Sequence, residues 1–429
     1  MPATQEKLQS SRSRRSSFII LSIQSAMAVM LVSLALGNNS EAQTVTVLHT
    51  FTVNQGDGYN PISPVIAAPD GTLYGTTYSG GDLSCTFGAG GCGTVFQETL
   101  SGGKWTYSTI HEFEGTNGVG DGCCQGSTLA RDKAGRLYGV TTGGSLGKIF
   151  RMTPGAAGKP WHFEILYTFQ NMSDGEFPLT PLAIDGSGAV YGITPSGNLS
   201  SCPNGCGAVF QIVPPATKGG AWTENALYQF TGASDGSAPN TMIMDHSGVI
   251  YGTTNFSGVV NGSCPSGCGV VFRLAPSGTG SWTYSVIYTF EGAPDGNPYG
   301  SLFEAPSGAL YGLAFNNSRQ EIFKLTPPAG GSGSWTRTVA YVPRGGISYL
   351  TEGGKGVLYG VEVGDFDINA GSLFQLTPQT SGGYARKVLA NFNNGPDRNP
   401  NAVTVGPSGV LYGTLSGGSS DGGMVISVP

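Results

Sequence analysis

From residue 44 to the last residues of the chain, short runs of alternating apolar and polar residues follow one another, separated by Gly, Pro, Asp and Ser. A period of two with that punctuation is the pattern of half-buried strands joined by tight turns. No segment keeps a 3.6-residue period, so helices are not expected.

The runs repeat as a set. A strand ending in Tyr-Gly occurs at Tyr74, Tyr138, Tyr191, Tyr251, Tyr311, Tyr359 and Tyr412, at spacings of 48 to 64 residues. Each is followed by a Gly-x-Val-Phe-like strand, marked by Phe96, Phe150, Phe210, Phe272, Phe323, Phe374 and Ile426. Next comes an alternating run opened by Trp105, Trp161, Trp222, Trp282 and Trp335, with Tyr384 in the sixth copy. An Asp-Gly and a Pro then lead into a short apolar stretch. Each copy therefore holds four strands, and seven copies predict an all-β, seven-bladed β-propeller of four-stranded blades. The segment Thr44–Phe51 looks like a fourth strand, whereas the seventh copy stops after its third, Gly423–Val428. The N-terminal strand is expected to complete the last blade and leave no open edge.

The Tyr-Gly-Thr-Thr…Gly-x-Val-Phe-x-Leu-x-Pro pattern resembles the GloVer tandem repeat of exported bacterial proteins, over nearly all of residues 43–429. The resemblance implies export and a repeat scaffold, but no particular activity. Some members carry a C-terminal surface-anchor signal. This chain ends at Pro429 inside the last copy, so covalent anchoring is not expected.

The first 42 residues stand apart. Arg12, Arg14 and Arg15 precede an apolar run broken by Ser22, Gln24 and Ser25, and then Ser40-Glu41-Ala42. That order reads as a signal peptide over 1–42, leaving one propeller domain, 43–429, secreted, periplasmic or on the cell surface with no transmembrane span. Without the leader, Lys plus Arg falls from 21 to 17 and Asp plus Glu from 27 to 25, a net charge of −8. With no basic stripe, nucleic acid is not an expected partner. A monomer is expected.

In a four-stranded blade the loop between strands two and three shares one face with the link to the next blade. Here that face carries the long loops, where binding usually sits. All eight cysteines map to it, as local pairs: Cys85/Cys92, Cys123/Cys124, Cys202/Cys206 and Cys264/Cys268. An even count in an exported chain argues for disulfides, including a vicinal bond at Cys123-Cys124. Zinc is disfavoured because the two Cys-x3-Cys pairs belong to different blades. Asp57, Asp121, Asp174, Asp235 and Asp295 recur before Gly. They are candidates for a ring holding Ca²⁺, set against the simpler reading of an Asx-turn remade in every blade. No resident cofactor is otherwise expected.

His49 and His111 stand where other copies have Tyr, and neither His162 nor His246 looks like a general base. The best acids outside the repeat are Glu362, Asp365 and Asp367, candidates for glycosidase-type work set against a solvated loop. Tyr78, Phe87, Phe256 and Phe315 are candidate ligand-stacking aromatics, or covers for the blade ends. The expected function is an extracellular binding module for a glycan or protein. The alternative is a polysaccharide hydrolase or lyase at the channel mouth, and a third reading is a purely structural envelope protein.

Overall fold

A computed structural model describes residues 43–429, apart from 54–55, 86–89, 116–119, 124–127, 143–145, 157–158, 198–201, 203–204, 263, 279, 317–318, 332, 365–370, 393–398 and 417–421. It forms seven four-stranded antiparallel sheets. Blades 1 to 6 span 66–112, 130–168, 179–229, 237–289, 297–341 and 346–392, each with its strands in chain order. Blade 7 is built from Asn399–Val405, Leu411–Ser416 and Met424–Val428, with Thr46–Thr50 added as its outer strand. The first strands of successive blades face one another around the axis, which makes the ring a seven-bladed β-propeller. The one helical element among the described residues is a 3₁₀ turn, Ala329–Gly331.

The Tyr-Gly and Val-Phe markers are two halves of one contact. Gly75, Gly139, Gly192, Gly252, Gly312 and Gly360 lie directly across the ladder from Phe96, Phe150, Phe210, Phe272, Phe323 and Phe374. A Cβ on any of these glycines would overlap the facing ring, so the ring lies on bare backbone. In blade 7 the partner is Ile426, and a Cβ at Gly413 would meet its nearest atom at 3.2 Å. Gly192→Ala is expected to lower stability by roughly 1–3 kcal/mol through overpacking, and Gly413→Ala to be close to neutral. Urea denaturation of the two variants compares them, and equal costs would contradict the ring-on-glycine account.

The other markers join blades. The tryptophan of one blade meets the Tyr-Gly tyrosine of the blade before it: Trp161 with Tyr74 at 5.5 Å, Trp282 with Tyr191 at 6.0 Å, Trp335 with Tyr251 at 6.1 Å and Trp105 with Tyr412 at 6.1 Å. Where Tyr384 replaces Trp, its hydroxyl lies 3.1 Å from that of Tyr311. In blades 1 to 4 the Phe ending the outer strand packs edge-on against the third-strand Phe of the next blade, as in Phe169–Phe210 at 5.4 Å and Phe230–Phe272 at 5.3 Å. Phe51 does the same to Phe96 at 5.4 Å, which seals blade 7 to blade 1. Thr404 Oγ1 and Thr414 Oγ1 donate across that seam to the carbonyls of Val65 (2.6 Å) and Ser63 (3.1 Å).

Candidate binding face

The recurrent aspartates serve their own links. Asp174 accepts from Tyr167 Oη (2.9 Å) and from the N–H groups of Gln170 and Asn171. Asp235 accepts from Tyr228 Oη (2.9 Å), Thr231 N and Ala233 N. Asp295 accepts from Tyr288 Oη and Glu291 N, and its Oδ1 lies 3.0 Å from Arg337 Nε. His111 and His49 take the tyrosine's part toward Asp121 (2.7 Å) and Asp57 (3.3 Å). Burial raises the hydroxyl pKa of Tyr167, Tyr228 and Tyr288, and hydrogen bonding to the aspartate adds to the rise. Burial also lowers the imidazole pKa of His49. Asp121, Asp174, Asp235 and Asp295 are therefore occupied as turn caps, as an Asx-turn requires, whereas Asp57 Oδ1 is buried without a hydrogen-bond partner.

The acid candidates divide. Asp365 and Asp367 lie outside the described residues. Glu362 belongs not to a solvated loop but to the second strand of blade 6, Leu358–Val363, and its side chain is fully buried. Its Oε2 is 2.6 Å from Arg386 Nη2, whose guanidinium stands 5.4 Å over the Phe374 ring, and Oε1 accepts from Gly345 N. The pair is a contact of the blade core, with Glu362 fully buried and Arg386 largely so.

Between the inner strands of blades 1, 6 and 7 lies a cavity of about 310 Å³, lined by Val65, Ala67, Thr128, Tyr349, Glu352 and Thr404 among others. Glu352 is its only acid; burial raises its carboxyl pKa, and Oε1 is buried without a hydrogen-bond partner. Burial pushes the Tyr349 hydroxyl up to about 12. Sequence reasoning passed over Glu352, and the repeat does not single it out, because blade 5 has Glu304 at the same place.

The loop face is where apolar surface is left open. Tyr78, Phe256 and Phe315 are 44%, 49% and 48% exposed; Phe87 lies outside the described residues. Of the twelve large hydrophobic residues exposed among the described ones, nine sit in loops, links or strand ends of this face, including Ile62, Leu83, Phe177, Val260 and Val342. The other three are Val47, Leu100 and Val339. Phe177, unnoticed in the sequence, has φ +55°, as Asn60 (+57°) and Ala238 (+51°) do at the same place before the link proline.

The cysteines lie on this face too. Disulfides join Cys85–Cys92, Cys202–Cys206 and Cys264–Cys268. Cys123 is a free, buried thiol whose sulfur is 3.8 Å from that of Cys85, and burial pushes its pKa up to about 11. Cys124, its expected partner, lies outside the described residues. Among the described residues no helix is long and apolar enough to cross a membrane.

Comparison with known proteins gives a family and a fold. No curated protein matches the chain. Among solved structures it is similar to a putative 6-phosphogluconolactonase from Bacteroides uniformis (16% identity, TM-score 0.49, 77% of this chain and 87% of that one). It is also similar to the PQQ-bound aldose sugar dehydrogenase of Streptomyces coelicolor (13%, TM-score 0.41, 89% and 97%). A putative gluconolactonase gives 14% identity and a TM-score of 0.40 over 91% and 93%. Likenesses this distant say nothing of what the chain binds. The Gloeobacter/Verrucomicrobia repeat model matches residues 36–203 and 147–347. With its markers now seen as the contacts within and between blades, the chain belongs to the Gloeobacter/Verrucomicrobia repeat family.

Proposed function

We propose that this chain is an exported binding module whose loop face engages an extracellular glycan or protein. The observation that carries this reading is the concentration of exposed large hydrophobic residues on that one face. Scattered surface hydrophobics need no explanation, but a one-sided cluster on long loops over a rigid scaffold is typical of interaction sites. Half-exposed aromatic rings offer flat apolar area with few rotamers to freeze, which suits sugar faces and protein hot spots alike. The three disulfides, all on the same face, fit export to an oxidising compartment.

The test is binding of the purified protein to an array of polysaccharides and bacterial surface proteins, with released reducing sugar assayed in the same wells. Binding without turnover is expected. Tyr78→Ala, Phe256→Ala and Phe315→Ala together should weaken it by at least about tenfold, or 1.4 kcal/mol, with the fold unchanged. Turnover would overturn this reading in favour of a hydrolase or lyase, with Glu352 in the channel cavity the first acid to replace.

A further inference from the structure

Cys85 and Cys92 come from the second–third loop of blade 1, and Cys123 from the link to blade 2. All three are buried, with sulfurs within 4.8 Å of one another, the one such group of metal-capable side chains among the described residues. The Cys85 and Cys123 sulfurs are 3.8 Å apart. Two thiolates on a tetrahedral zinc ion, each about 2.3 Å from the metal, also stand about 3.8 Å apart.

A second observation concerns the space those sulfurs face. A Cβ at Gly115 would overlap the sulfurs of both Cys85 and Cys92 and stand 3.1 Å from that of Cys123. The three sulfurs therefore converge on one point beside a backbone that carries no side chain. Gly115 has φ +53°, a conformation that suits glycine, and its N–H reaches Asp121 Oδ1 at 3.4 Å. The cap on Asp121 thus holds bare backbone over the cluster.

We propose that Cys85, Cys92 and Cys123 form a three-thiolate site for one thiophilic d¹⁰ cation of the zinc class, alternative to the Cys85–Cys92 disulfide. A dithiol reductant opens the bridge: the S–S bond breaks, two electrons and two protons go to Cys85 and Cys92, and the reductant leaves as its own disulfide. Each of the three thiols then yields its proton to water as it binds the cation. Three protein ligands leave a fourth tetrahedral position for an exogenous ligand. In the oxidised form Cys123 stays behind as the buried thiol. The site ties a loop of blade 1 to the link entering blade 2, where the inner strands are shortest, two residues each in Ile66–Ala67 and Ala130–Arg131.

The experiment uses the full chain, reduced with a dithiol under anaerobic conditions and titrated with Cd²⁺, read by thiolate-to-cadmium absorption. To leave one cluster, Cys202, Cys206, Cys264 and Cys268 are changed to Ser in the parent protein, with its fold checked by circular dichroism. One Cd²⁺ per chain is expected. Cys123→Ser should remove about a third of the absorption and weaken binding by more than about tenfold, and Cys124→Ser should change neither. Gly115→Ala keeps every sulfur but fills the space beside them, and it too should weaken binding. No absorption change in the reduced parent, or a band and an affinity left undiminished by Cys123→Ser, or a band lost in Cys124→Ser, would overturn the proposal. So would peptide mapping that finds a permanent Cys85–Cys123 bond resistant to the reductant.

Discussion

Replacing Glu98 by methionine should stabilise the fold, by an amount that is smallest in acid and reaches the order of 4 kcal/mol above pH 8. Glu98 lies two residues after Phe96 on the third strand of blade 1. The same place holds Met152, Ile212, Leu274, Leu325, Leu376 and Val428 in the other blades. Its side chain has no exposed surface, and both carboxyl oxygens are buried without a hydrogen-bond partner. Burial pushes its pKa from the ordinary 4.5 up to about 8. The folded state therefore holds this proton more tightly than the unfolded chain. Stability associated with the neutral acid is fully present below pH 4.5 and falls as pH rises through the folded value near 8. Denaturant midpoints of parent and Glu98→Met at pH 5, 7 and 9 check this. A parent whose midpoint did not fall relative to the variant over that range would show that Glu98 is not buried as a neutral acid.

The second buried glutamate behaves in the opposite way. Glu362→Ala is expected to destabilise the protein by roughly 3–5 kcal/mol, because Arg386 is itself largely buried and would lose the carboxylate 2.6 Å from its guanidinium. Any drop in binding or turnover in this variant should track loss of folded protein. Thermal unfolding measured beside ligand binding separates the two, and a stably folded but inactive Glu362→Ala would return the residue to the list of functional acids. The two residues share a residue type and complete burial. One has a guanidinium at 2.6 Å and the other has no partner, and that difference sets the sign.

The ring was legible in the sequence because its markers are contacts. Tyr-Gly, Val-Phe and the opening Trp recur since each touches its counterpart in the same or the adjacent blade, so their spacing reports the blade count directly. Replacements were legible as well: Tyr384 for Trp and His111 for Tyr keep the contacts of the residues they replace. Glu98 was readable as a charge in an apolar slot of the repeat, a signal that goes unseen when acids are sought only outside the pattern. Glu362 was misread as loop because the irregular Gly-Asp-Phe-Asp stretch follows it closely; its partner Arg386 lies two strands away. The sulfur cluster was hidden for a different reason. Cysteines pair by local spacing in a one-dimensional reading, and the approach of Cys123 to Cys85 depends on how a link folds over the neighbouring blade's loop.

Blade 7 takes its outer strand, Thr46–Thr50, from one end of the described chain and its other three from the opposite end. Six blades are assembled from neighbouring hairpins, but this sheet must wait until Met424–Val428 has been synthesised. Closing so long a loop adds little thermodynamic cost, because the entropy grows only with the logarithm of length. The delay is kinetic: the pairing is the most non-local in the molecule, and non-local pairing is slow. Until it forms, Met424–Val428 is an unsatisfied strand edge open to foreign strands. Whatever keeps the segment 46–50 from pairing would therefore leave blade 7 with three strands and the ring unlatched.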